Sequence, residues 1–238
     1  MKKQENNWTT NDFFTQIHNR KVPASIWLPT EIEMPRPVVL VGHGGSGHKR
    51  SQLVLDIVQE LTQKHQIAVV AIDGPVHGAR RDVFMDGTVV RQEFRDLWST
   101  GLSVDPMVED WKSCIDYITQ LPEIDPQRIG WYGISMGSAY GIPLIANEDR
   151  IKVAALGMWG TCRSPAERLK EDAAKINIPV LFQEKEQDEI FTHAGQLDLY
   201  QCLASSQKEY QTYPGGHTDP KDQQLNDIVQ FLSQHLLA

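Results

Sequence analysis

The sequence predicts an α/β protein with a mostly parallel sheet covered by helices on both faces. Three observations carry this prediction. Short runs rich in Val and Ile alternate with longer segments of helical periodicity. Two of those runs pass directly into glycine-containing turns. No internal repeat, low-complexity tract or linker divides the 238 residues, a length within the range of one large domain with a sizeable core.

In chain order, 22–28 reads as a strand closed by Pro29, and 38–41 as a buried strand entering the glycine-rich turn 42–47. Ser51 suits a helix N-cap; Leu53, Val54, Ile57, Val58 and Leu61 then share one helical face, and 67–72 is the next buried strand. From about 74 to 101 the rhythm breaks, with Pro75 and Gly78 as punctuation, which suggests a cap or specificity loop inserted in a single domain spanning 1–238. A helix at about 106–120 follows, carrying Val108, Trp111, Ile115 and Ile118 on one side. Strand 129–134 and helix 138–146 come next, then strands 153–158, 179–182 and 209–213. The closing helix, about 219–236, buries Leu225, Ile228, Val229 and Leu232.

The formal net charge of −8 argues against nucleic acid or anionic lipid as partners, since both reward clustered Lys and Arg, and favours a small-molecule substrate. Cys114, Cys162 and Cys202 have neither metal-site nor disulfide-framework spacing, so a reducing cytoplasm is expected. Residues 1–10 are polar, without a signal-peptide core, and no later segment reaches the length of a membrane span.

Chemistry enters at Gly133-Ile134-Ser135-Met136-Gly137, a G-x-S-x-G pattern placed where an apolar strand runs into a helix. Taken alone the pattern would arise by chance in roughly one chain in ten. Its position at a strand-to-helix junction makes Ser135 the candidate nucleophile. A serine hydroxyl needs an imidazole to take its proton, and a carboxylate to orient that imidazole. Of the histidines after Ser135, His193 opens a helix and His235 lies near the end of the last one. His217 stands in Tyr213-Pro214-Gly215-Gly216-His217, a loop free to reach over the sheet edge, and is the candidate base. Glu184, Glu186, Asp188 and Glu189 crowd the exit of strand 179–182 as candidate acids. Acyl transfer also needs donors for the developing oxyanion. The amide of Met136 would supply one, and the turn His43-Gly44-Gly45-Ser46-Gly47 another, from Gly45, with His43 in a structural or orienting role.

These residues together resemble the α/β-hydrolase superfamily, and within it the small dienelactone-hydrolase-like and acyl-peptidase-like esterases. The resemblance rests on His43-Gly44-Gly45, Asp73-Gly74-Pro75-Val76-His77-Gly78, the elbow at Ser135, the loop near Asp188, and Gly216-His217. It implies the α/β-hydrolase fold, no metal or organic cofactor and, ahead of Ile190 and a helix, Asp188 as the acid; Glu186 is its main competitor and Glu184 stands behind. The second motif departs from the related D-x-P-G-x-G turn by placing Gly74 before Pro75, and Asp73 reads as structural. Dienelactone hydrolases proper carry a cysteine nucleophile, so the serine here favours ordinary carboxylic esters.

The 74–101 segment would lie at the carboxyl ends of the strands, where ligands bind in open α/β sheets. Phe84, Phe94, Trp98 and Trp159 are candidate pocket walls. Arg80, Arg81, Arg91 and Arg95 are candidates for a substrate carboxylate, but Asp82, Asp86, Glu93 and Asp96 lie near enough in sequence that paired surface charges are the favoured reading. The expected function is an esterase working through an acyl-enzyme. A thioesterase or short-peptide hydrolase is the alternative on the same residues, and an inactive binding protein the alternative from another class.

Overall fold

A computed structural model describes residues 7–30 and 35–238; the first six residues of the polar N-terminal stretch lie outside the described residues. All eight strands form one sheet in the order β1-β2-β4-β3-β5-β6-β7-β8. They are β1 (Trp8–Ile17), β2 (Arg20–Pro29), β3 (Arg36–Gly42), β4 (Ala68–Ile72), β5 (Ile124–Ile134), β6 (Ile151–Gly157), β7 (Val180–Lys185) and β8 (Lys208–Tyr213). The β1–β2 and β2–β4 pairs are antiparallel and the rest parallel. The helices are α1 (Gln52–His65), α2 (Gly87–Ser99), α3 (Val104–Ile118), α4 (Met136–Ile145), α5 (Ala166–Ala173), α6 (His193–Cys202) and α7 (Asp222–Leu236). This is the α/β-hydrolase arrangement that the resemblance implies.

Strands of a parallel sheet bury both faces, and β3 shows how. Val38 and Leu40 belong to one hydrophobic layer, while Val39 and Val41 belong to the other. The first layer is roofed by α3 and α4 through Trp111, Ile115 and Ile142. The second is roofed by α1 and α7 through Ile57, Leu61, Ile228 and Leu232. The three cysteines are free, and among the described residues no helix is long and apolar enough to cross a membrane.

Three elements depart from the sequence reading. Strand β1 was not expected, because its residues are mostly exposed and polar; it holds its place by pairing along its whole length with β2. Within 74–101 the chain forms a regular helix, α2, whose N-cap Asp86 accepts the Thr88 amide at 2.8 Å and whose Val90, Phe94 and Trp98 form a buried stripe. Short α5 was also missed. Ser51 occupies the N-cap position of α1, but its side chain makes no capping hydrogen bond.

Candidate active site

Strand β5 passes into α4 through Ser135, which is held at φ 54° and ψ −123°. A positive φ is costly for a residue with a side chain, so the surroundings must hold it. The Ser135 amide donates to the Gly157 carbonyl at 2.9 Å, and its own carbonyl accepts the amides of Ser138 (2.9 Å) and Ala139 (3.1 Å). Buried Ser138 ties the elbow to β6, its hydroxyl accepting the Gly157 amide at 2.7 Å. Backbones meet directly here: a Cβ on Gly133 would come within 2.7 Å of the Gly137 carbonyl oxygen, and one on Gly42 within 2.9 Å of the Gly137 Cα.

His217 Nε2 lies 2.9 Å from Ser135 Oγ, and His217 Nδ1 lies 2.8 Å from Asp188 Oδ2. The other oxygen, Asp188 Oδ1, accepts the amides of Ile190 (2.8 Å) and Phe191 (2.9 Å). An ionised Asp188 therefore assigns the imidazole proton to Nδ1 and leaves Nε2 to accept from the serine hydroxyl. Burial opposes ionisation of Asp188, but the hydrogen bond from His217 and those from the Phe191 and Ile190 amides outweigh it and hold the carboxyl below its ordinary range.

The two loops that carry Asp188 and His217 are zipped together. The Glu186 amide donates to the Tyr213 carbonyl (2.9 Å), the Gln187 amide to the Gly215 carbonyl (3.0 Å), and the His217 amide to Glu189 Oε2 (2.9 Å). Glu189 as an anchor of His217 was not anticipated; among four acids in six residues, nothing in the sequence distinguishes it. The competitors are engaged elsewhere. The Glu186 carboxylate accepts from Gln187 Nε2 at 3.1 Å, and Glu184 is buried against His193 Nδ1 at 2.8 Å. His235 Nδ1 donates to the Phe231 carbonyl on its own helix.

Ser135 and His217 open on a cavity of about 370 Å³ that Gly45 also lines. The Gly45 amide has no acceptor among the described residues, and Met136, as first residue of α4, has none within its helix. The cavity straddles the crest of the sheet. Phe94, Trp98, Trp159 and Phe191 come from the hydrophobic layer under α3 and α4, and Leu53, Ile134 and Met158 from the layer under α1 and α7. Phe84 is not a wall: it is 87% exposed and lies outside this cavity. It precedes α2, so the helical stripe that turns Phe94 and Trp98 inward does not include it.

The arginines divide. Arg80 pairs with Asp110 at 2.7 Å and Arg81 pairs with Glu93, as the favoured reading expected. Arg91 and Arg95 do not: both line the cavity with Arg163, and none of the three has an ion pair among the described residues. Burial first, and then the neighbouring charges of Arg163 and Arg91, lower the Arg95 pKa. Three arginines thus face one cavity whose lining, among the described residues, includes one carboxylate, Asp219.

Behind the 42–47 turn, Asp73 is fully buried and accepts the Lys49 and Ala79 amides (2.9 and 2.8 Å) and Lys49 Nζ (2.9 Å), a structural role. His43 and His77 are also buried, and burial pushes their pKa values down to about 3 and about 4. Both values lie below that of a histidine in the unfolded chain, so unfolding takes up protons once the pH drops beneath about 6.5. The stabilisation is complete above that pH and is lost as the pH falls toward the folded values. Urea unfolding at pH 5 is expected to give a stability about 3–4 kcal/mol below that at pH 7; equal values at the two pH points would contradict the neutral burial of these rings. Among the described residues no group of three or more His, Cys, Asp or Glu side chains is placed to hold a metal ion.

Comparison with known proteins supports the same grouping. The chain is 30% identical over 146 residues to the putative hydrolase YtaP of Bacillus subtilis (strain 168), a match covering 57% of this chain and 47% of that protein. It is 25% identical over 133 residues to the quorum-quenching protein AidA of Acinetobacter baumannii (strain MDR-ZJ06), covering 55% and 38%. The chain thus spans less than half the length of these curated relatives. Among solved structures, a novel cold-adapted esterase from an Arctic intertidal metagenomic library, in its PEG-bound complex, superimposes with a TM-score of 0.86. It is 29% identical, with 98% of this chain and 97% of that one covered. The dienelactone hydrolase of Anabaena variabilis ATCC 29413, 16% identical with a TM-score of 0.69 over 97% of this chain and 98% of that one, shares the fold. The family model described as "Dienelactone hydrolase family" matches residues 22–222, and the chain belongs to that family.

Proposed function

We propose that the protein is a serine hydrolase that cleaves carboxylic esters through an acyl-enzyme. The observation that carries this reading is the unbroken hydrogen-bonded chain from Ser135 through His217 to Asp188, opening on a cavity. In it, Ser135 Oγ attacks the substrate carbonyl carbon while His217 Nε2 takes the hydroxyl proton. The oxyanion is received by the amides of Gly45 and Met136, and the protonated imidazole, held by Asp188, returns its proton to the leaving alcohol. Water then enters, gives a proton to His217 Nε2, and its oxygen attacks the acyl carbon; collapse of the tetrahedral intermediate returns that proton to Ser135 and frees the acid. The esterase named above, with its high structural likeness, supports an ester over a thioester or anilide as substrate.

The unpaired arginines favour acyl groups that bear a carboxylate, because such a group relieves the mutual repulsion of Arg91, Arg95 and Arg163. The test is a panel of aryl esters, acyl thioesters and aminoacyl anilides, each with and without a terminal carboxylate. An initial burst of aryl alcohol equal to the enzyme concentration is expected. Arg95→Ala is expected to cost about 10- to 100-fold in kcat/KM on the carboxylate-bearing ester, the range of one lost charged hydrogen bond, while the neutral ester changes little. A protein inert toward the whole panel, yet stabilised by a ligand in thermal shift, would establish a binding protein instead.

A further inference from the structure

The 42–47 turn is not held in place by its own backbone alone. The Gly74 amide donates to His43 Nε2 at 2.9 Å, which puts the single proton of this neutral ring on Nδ1; from there it is donated to the Gly44 carbonyl at 2.8 Å. The Gly47 amide donates to the same carbonyl at 2.9 Å. His77, fully buried, reaches across from the neighbouring turn, and its Nε2–H donates to the Gly45 carbonyl at 3.0 Å. Both peptide units that flank the Gly45 α-carbon are thereby gripped by their oxygens. A peptide is planar, so fixing the Gly44 carbonyl fixes the direction of the Gly45 N–H on its opposite side.

The remaining nitrogen, His77 Nδ1, is buried and without a partner. An orphaned buried acceptor carries a cost, and the ring is nonetheless kept in that position. The surrounding atoms are built to fit it. A Cβ on Gly74 would meet His77 Nδ1 at 2.7 Å and Met136 Cε at 3.0 Å, so glycine is required where the sequence departs from the related turn. The His43 and His77 rings meet edge to face, with centroids 4.8 Å apart. Phe94 closes the other side of Gly45, 3.0 Å from where its Cβ would stand.

We infer that His77 is a positioning residue for the oxyanion donor: its Nε2–H holds the carbonyl of the Gly45–Ser46 peptide, and with the Gly44–Gly45 peptide already held through the Gly44 carbonyl this clamps the Gly45 α-carbon from both sides, so that the Gly45 amide stays aimed at the charge developing on the substrate. The inference rests on the hydrolase reading and adds to it a residue that touches neither substrate nor Ser135. It separates the two ring nitrogens: the Nε2 donor is needed and the Nδ1 acceptor is not. Gln can place an amide N–H near the position of Nε2, whereas Asn places its own near that of Nδ1, too short to reach Gly45.

The experiment compares His77→Gln, His77→Asn and His77→Leu with the wild type, with Ser135→Ala as reference. The readouts are kcat and KM on one aryl ester, the inhibition constant of an aryl boronic acid, and the thermal midpoint. Complete loss of one oxyanion donor lowers kcat by about 10²–10³-fold. H77L and H77N are expected to lose about 10- to 100-fold in kcat with KM within about twofold, and to bind the boronic acid weaker by the same factor; H77Q is expected to stay within about threefold of wild type. If H77L does not fold, the contrast between H77Q and H77N decides. Unchanged kcat in H77L or H77N overturns the positioning role, as does an equal loss in H77Q and H77N. Abolition of turnover by Ser135→Ala beside an unaffected H77L would defeat this inference alone; turnover that survives Ser135→Ala would defeat the hydrolase reading beneath it.

Discussion

Ser135→Ala is expected to lower kcat by about 10⁶-fold, with KM little changed and the thermal midpoint close to wild type. The reason lies in what the hydroxyl does and does not hold up. Its one recorded partner is His217 Nε2, at 2.9 Å, while the elbow itself is secured by backbone bonds to Gly157, Ser138 and Ala139 that an alanine would keep. Chemistry is lost without loss of structure. Alanine at a positive φ pays the same backbone strain as serine, so the fold is not further burdened. A fluorophosphonate adduct mapped by mass spectrometry should appear on residue 135 of the wild type and vanish in the variant. Labelling that persists at another residue, or turnover within tenfold of wild type, would remove Ser135 from its role.

Asp188→Asn is the second large effect, about 10⁴-fold in kcat. An ionised carboxylate can only accept, so it holds the His217 proton on Nδ1 and leaves Nε2 bare toward the serine. The two oxygens of Asp188 are both in use, with the Ile190 and Phe191 amides on one and the ring on the other. An asparagine can keep the amide contacts through its oxygen, but its NH₂ then faces Nδ1. The ring must accept there, moves its proton to Nε2, and presents a donor to Ser135 in place of a base. Glu186→Gln is the control, since Glu186 contacts Gln187 rather than the imidazole; it should leave kcat within about twofold. A comparable loss in both variants would mean that the acid assignment is wrong.

The parts of the fold and site that were legible in the sequence are those where one local pattern answers to one physical demand. Buried parallel strands need apolar runs, so β3 and β4 can be read; a nucleophile at a strained strand-to-helix turn needs flanking glycines, so Ser135 stands out as the candidate. His217 was found by elimination from the loop that carries it. The candidate acid is harder to read, because Asp188 differs from Glu186 and Glu189 by where the 186–189 turn aims each side chain, and that is set by its pairing with 213–217. Strand β1 left no trace because an edge strand can be polar on its open side. The stripe of Val90, Phe94 and Trp98, spaced by four, was present in the sequence but masked by the charges around it. For Arg91 and Arg95 alone the paired reading fails, for a related reason: acidic residues near in sequence on a helix point around its circumference, and both arginines line the cavity without forming an ion pair with them.

The cavity at the crest of the sheet has a consequence for how its selectivity can change. Its two flanks are founded on separate hydrophobic layers, with Phe94, Trp98 and Trp159 rooted on one side and Leu53 and Met158 on the other. Repacking one flank leaves the supports of the other untouched, so the fit for the two ends of a substrate can be altered independently. Selection or design acting on α2 can remodel one end while α1 preserves the grip on the other.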